Sequence, residues 1–110
     1  MLNITLIIPP VVTHNADPHT GIPFLPHMAA YLAGTADKLG HNVEVIDCFG
    51  NDSNQIHHEG EFIIIGQTGD EIKELINDNT DIFFIYCKVI EDLFSVEKIL
   101  KYLKKNYLYI

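Results

Sequence analysis

The chain contains no arginine. All 7 of its basic residues are lysines, set against 15 aspartates and glutamates, for a formal charge of −8 over 110 residues. A phosphate backbone needs a basic surface, so this balance argues against DNA or RNA as a partner, and equally against an anionic membrane surface. No apolar run reaches the roughly 18 residues of a membrane span. The opening residues lack a basic region, an apolar block and a small-residue cleavage site in series, so no signal peptide is expected and the expected location is cytoplasmic. Cysteine is scarce as well. Cys48 and Cys87 are the 2 present, with neither a C-x-x-C pair nor a three-cysteine cluster to hold an iron–sulfur centre. They read as reduced thiols of a cytoplasmic protein.

Catalytic signatures are also missing. There is no G-x-S-x-G and no phosphate loop. Pro9-Pro10 stands where a dinucleotide fold needs G-x-G-x-x-G. Cys87-Lys88 stands where a response regulator needs an acid at the end of its third strand. Asp47, near a strand end, has no acid or base partner in view and reads as a helix cap or loop residue. No catalytic set emerges.

What is present is a 47% hydrophobic chain, enough for one domain with one core. Ile4 to Ile8 is almost continuously apolar, as in a strand buried on both faces of a parallel sheet, and Pro9-Pro10 ends it. A long loop with His14, His19, Thr20 and Gly21 follows. From about Phe24 the period becomes helical. Leu25, Met28, Ala29, Leu32, Ala36 and Leu39 predict one stripe against a sheet, with Pro23 and Pro26 in the first turn and Gly40 as the stop. Asn42 to Asp47 is a second strand, in which Val43 and Val45 alternate with Glu44 as at a sheet edge, and the crossover joining it to the first is right-handed. Residues 49–61 read as a polar loop. Phe62 to Ile65 is a minor strand without an assigned partner. Thr68 to Glu71 forms a capping box before a helix that turns Ile72, Leu75 and Ile76 inward. Ile82 to Cys87 is a third main strand, expected to be central, and residues 88–93 are a second site loop. Val96, Ile99, Leu100 and Leu103 predict a last helix whose lysines suit its C-terminal dipole, and Tyr107 to Ile110 a fourth strand.

This succession predicts an α/β fold with a flavodoxin-like (Rossmann-like), doubly wound, mostly parallel sheet in the order 2-1-3-4, ending after strand 4. Its switch point lies between strands 1 and 3, where ligands bind in open α/β sheets. The loops after Ile8 and after Cys87 flank that point. A loop of about a dozen residues after the first strand exceeds the usual roughly 2–6. Pro9-Pro10 and Gly21-Ile22-Pro23 end a strand and set up a helix, and their rigid backbone would also let a large planar ring approach. His14 is the best loop candidate for a polar ligand contact and Lys88 a candidate for an amide or phosphate. His27 and His41 read as helix-start and turn residues, and His57-His58 as solvated. No metal site is read from the histidines.

Taken together, Pro9-Pro10, Gly21-Ile22-Pro23, Ala30-Tyr31-Leu32, Gly40-His41 through Asp47, Gly66 to Ile72 and Thr80 to Ile85 resemble, in order and spacing, the N-terminal cobalamin-binding domain of cobalamin-dependent radical S-adenosylmethionine enzymes. The resemblance spans most of the chain. It implies a single cobalamin-binding-like domain over residues 1–110, as a piece or short relative of a larger enzyme, that holds the corrin and is not catalytic on its own. The cofactor-binding set it implies is Pro9, Pro10, Val11, His14, Thr20, Gly21, Ile22, Pro23, Cys87, Lys88 and Val89. The D-x-H-x-x-G motif whose histidine ligates cobalt in mutase-type domains is absent, which implies a non-histidine lower face. The 4Fe-4S cluster and S-adenosylmethionine would belong to a radical domain that these residues do not contain, joined in cis or trans. Two other readings stand beside this one. One is a non-catalytic interaction domain that keeps the fold without cofactor and docks to a partner or forms a homodimer. The other is a small-ligand or metal-binding flavodoxin-like domain.

Overall fold

The structure is a computed structural model and describes residues 1–16, 27–87 and 92–106. Along the chain run β1 (Asn3–Ile8), β2 (Val11–His14), α1 (His27–Lys38), β3 (Asn42–Asp47), α2 (Cys48–Asn51), β4 (Ile56–Glu59), β5 (Phe62–Ile65), α3 (Gly69–Ile72), β6 (Ile82–Ile85) and α4 (Asp92–Asn106), with a 3-10 turn at Lys73–Leu75. The fold is α/β, with a three-stranded parallel sheet β3-β1-β6 and a three-stranded antiparallel sheet β2-β5-β4.

The parallel sheet follows from its central strand. Ile4, Leu6 and Ile7 of β1 are 5%, 1% and 0% exposed, so both faces of the strand are covered, as its unbroken apolar run requires. Ile7 pairs with Ile46 on β3 and Ile85 on β6. Alternation then sets Thr5, Ile7, Ile46, Phe83 and Ile85 on one face, and Ile4, Leu6, Val43, Val45, Ile82 and Phe84 on the other. The first face holds the main core, in which Ile7 and Ile46 meet Ile72 of α3, Ile76 just after the 3-10 turn, and Ile99 and Leu103 of α4. The second face carries α1, packed over β1 and β3. β6, expected at the centre of the sheet, is half-buried throughout. Residues 107–110, the expected fourth strand, lie outside the described residues.

The stripe expected of α1 meets the sheet only in part. Ala29 and Ala36 are buried, while Met28, Leu32 and Leu39 are 66%, 43% and 71% exposed; Leu25 lies outside the described residues. At 100° per residue Ala29 and Ala36 fall about 60–100° round the helix from Met28 and Leu39. The helix approaches the sheet on its smallest side chains, and its large apolar ones turn outward. Leu75, expected inward, is 46% exposed. The α3 helix gives way to the 3-10 turn after Ile72, and the tighter winding keeps Ile72 and Ile76 on the core while swinging Leu75 out.

Residues 49–61 are not simply loop. Asp47 caps α2, its Oδ1 accepting from Gly50 N at 2.9 Å. Ile56–Glu59 then pairs with Phe62–Ile65 in a hairpin, and Phe62–Ile65 pairs on its other side with Val11–His14. The two-residue turn Gly60-Glu61 needs a left-handed first residue, and Gly60 supplies it at φ +58°. The first part of the long loop after β1 is thus a strand.

Candidate functional site

By register, Ile8 of β1 lies beside Asp47 of β3, and Ile7 beside Ile85 of β6. The three strands end together, and the segments that leave them, Pro9-Pro10, Cys48 and Tyr86-Cys87, emerge along one carboxyl edge. Sequence and tertiary structure agree on where that edge is. They differ on what stands there.

Pro9 and Pro10 are buried, and Val11 is half-buried in β2, opposite Ile65. His14 closes β2, and both of its ring nitrogens are engaged. Nε2 lies 3.3 Å from Oε2 of Glu61, and Nδ1 accepts from Ala16 N at 2.9 Å. Its ring meets Phe62 edge-on at 5.7 Å. Cys87 is exposed at the edge, its pKa raised by partial burial and by the charge of Asp92. Thr20, Gly21, Ile22, Pro23, Lys88 and Val89 lie outside the described residues, as does His19. Of the expected set, then, Pro9, Pro10 and Cys87 share the edge, while Val11 and His14 are drawn into the antiparallel sheet.

A polar cluster that periodicity and composition do not reveal joins β4 to the start of α3. His57 Nε2 is 3.0 Å from Glu71 Oε1 and 3.3 Å from Gln55 Oε1. Facing two acceptors, Nε2 is placed to donate. Glu71 Oε1 also accepts from Thr68 N at 3.1 Å and Thr68 Oγ1 at 2.9 Å, the return half of the expected capping box. Partial burial pushes the Glu71 pKa up. The hydrogen bonds from Thr68 and Gln55 and the nearby His57 outweigh it and hold the carboxyl below its ordinary value. His57, expected to be solvated, is a partnered residue of β4 because the hairpin carries it over the start of α3. Two signals could have found this cluster, the T-x-x-E box that places Glu71 and the Gly60 turn that folds His57 back.

Between edge and cluster, Cys48 is fully buried, and burial together with the Asp47 charge pushes its thiol up to about 12. It is a packing group and no nucleophile. Gly66, at φ +121°, lies so close to this turn that a Cβ would stand 2.6 Å from the Cys48 carbonyl oxygen. Gln67 N donates to that same oxygen at 2.7 Å.

A polar cleft of about 370 Å³ opens at the opposite, amino edge, among Asn3, Thr5, Asn42, Glu44, Asn77 and Thr80. None of the expected site residues lines it. Among the described residues no three histidine, cysteine or acidic side chains converge as metal ligands, and no helix is long and apolar enough to cross a membrane. No family model, no curated protein and no solved structure matches the chain.

Proposed function

We propose that this chain is a cobalamin-binding-type module with a flavodoxin-like, doubly wound fold. It would hold a corrin for methyl transfer or a related radical reaction performed by a radical S-adenosylmethionine domain, in cis or in trans. The supporting observation is the strand order β3-β1-β6 with Pro9-Pro10 and Cys87 on one carboxyl edge, where open α/β sheets take their ligands. The motif order described above adds to it. In this reading Pro9, Pro10 and Cys87 would help hold the ring, and Thr20, Gly21, Ile22, Pro23, Lys88 and Val89 are the further contacts that the motif order implies. Bound cobalamin would supply the cobalt that carries an alkyl group. The residues of this chain would bind and orient the ring and do no bond-making of their own.

A second reading has its own observation. The strand Val11–His14 hydrogen-bonds to β5, so part of the candidate loop is spent on structure. That favours a docking domain that keeps the fold without the cofactor. One experiment separates the two. The purified chain is titrated with hydroxocobalamin while the corrin absorbance is followed, and retention of the colour is then measured on a desalting column. A spectral shift with retained colour supports the corrin module. A folded chain that shows neither at high micromolar cobalamin sinks it and leaves the docking domain.

A further inference from the structure

Parallel sheets are covered by helices on both faces, and among the described residues one face here is under-covered. Among the described residues α1 is the helix that packs on the face of Ile4 and Leu6. On that face Val45 is 50% exposed, and Ile82 and Phe84 are half-buried. The helix presents Met28, Tyr31 and Leu32 at 66%, 73% and 43% exposure, and Leu39, in the turn that closes it, is 71% exposed. Spaced 3, 4, 8 and 11 apart from one another or from Met28, they form a single stripe about one side of the helix. No charged residue interrupts that stripe, since Thr35 occupies the one remaining position on it. A right-handed β1–α1–β3 crossover turns the stripe toward the β6 side, beside Ile82 and Phe84. Helix flank and sheet face then form two walls of an apolar notch.

We propose that this notch docks a cationic amphipathic α-helix from another domain or chain, laid beside α1 over β6. A helix fits because the notch has the walls that a helix neighbour would fill, about 8–10 Å from the α1 axis. The segments of this chain outside the description, 17–26, 88–91 and 107–110, are each ten residues or fewer, and the first contains three of the prolines. A positive charge on the visitor fits because the chain carries −8, which steers basic partners inward. The same charge makes two copies repel. At roughly 200 Å² per large side chain, the stripe offers about 500 Å², at the top of what a monomer exposes and short of the ~800 Å² per partner of a stable dimer. This inference deepens the docking reading by naming its surface and partner. It does not involve the carboxyl edge, so cobalamin titration is blind to it and the two fail separately.

The test uses the whole chain and a fluorescent leucine–lysine peptide about 18 residues long with helical periodicity, read by anisotropy. Binding should weaken about tenfold or more for Leu32→Asp and Tyr31→Glu, and for a scrambled peptide of equal composition. Leu75→Asp, on the other side of the sheet, should leave it unchanged. Leu32→Ala, which keeps helix propensity, guards against misfolding and should weaken binding in the same direction. Equal binding by the scrambled peptide, or by the Leu32 variants, overturns the proposal. Equal binding of a leucine–glutamate peptide overturns its charge requirement. A dimer in sedimentation that Leu32→Asp converts to monomer assigns the stripe to a second copy and also overturns it.

Discussion

Nε2 of His57 stands 3.0 Å from Oε1 of Glu71, which joins the β4–β5 hairpin to the start of α3. Glu71 is the hub, because the same oxygen accepts twice from Thr68. Its carboxyl is held below its ordinary pKa, so ionised Glu71 stabilises the folded state. That contribution is complete above the unfolded-state pKa and is lost as pH falls through the lower folded-state pKa. Glu71→Ala should therefore cost about 1 kcal/mol at neutral pH, the size of a lost helix cap. Urea melts of both proteins across the acid range check this. The gap should close as the pH drops, and a gap that persists at the acid end would show that the loss is packing alone.

Two glycines should respond in opposite directions. At Gly66 a Cβ would meet the Cys48 carbonyl oxygen at 2.6 Å and the Phe49 Cα at 2.9 Å, and φ is +121°. Gly66→Ala should destabilise by about 2–3 kcal/mol, combining backbone strain with overpacking. Gly34, inside α1, has nothing within 4 Å of the same position. Gly34→Ala should stabilise by about 0.5–1 kcal/mol through helix propensity. Chemical denaturation of the two single variants reads both signs.

The thiols should behave as different species. Cys48 is fully buried with its pKa pushed up to about 12, and Cys87 is exposed. An aromatic disulfide reagent should label one thiol per native chain and a second only after denaturation. Cys87→Ser should abolish native labelling. Because burial and Asp92 raise the Cys87 pKa, its labelling should be slower than that of a free thiol at neutral pH and should speed up on going alkaline.

The antiparallel sheet is fastened to α4 through Phe62, whose ring stacks on Phe94 at 4.7 Å. Beside it Lys98 pairs with Glu59 and lies over the Phe94 ring at 5.1 Å. Phe94→Ala should cost about 1–2 kcal/mol, less than a fully buried Phe because the ring is half-buried. Hydrogen exchange should show faster opening of Phe62–Ile65 than of Asn3–Ile8. Uniform acceleration in both strands would mean that the hairpin has no separate opening.

Much of the parallel unit was legible because its signals are local. The apolar run of Ile4–Ile8 and the cap residues Asp47, Thr68 and Glu71 each act within a few residues of themselves. The hairpin at Ile56–Glu59 was hidden, since His57, His58 and Glu59 carry no strand-like composition and pair only because Phe62–Ile65 is there to receive them. The candidate site was legible as a position, the edge where β1 and β6 end, and not as a set of contacts. His14, a candidate for a polar ligand contact, has Glu61 and Phe62 as its neighbours, which lie 47 and 48 residues away in the chain.

The sequence by itself determined the α/β class, the buried central strand, the helix of Ile99 and Leu103, and a net charge of −8. These depend on composition and on periodicities of two and 3.6, which any segment carries with it. Only the tertiary structure decided which side of α1 meets the sheet. Periodicity marks a stripe without telling which of two neighbouring stripes is buried. Close approach of helix to strand selected the small residues Ala29 and Ala36, and left Met28, Tyr31, Leu32 and Leu39 facing outward.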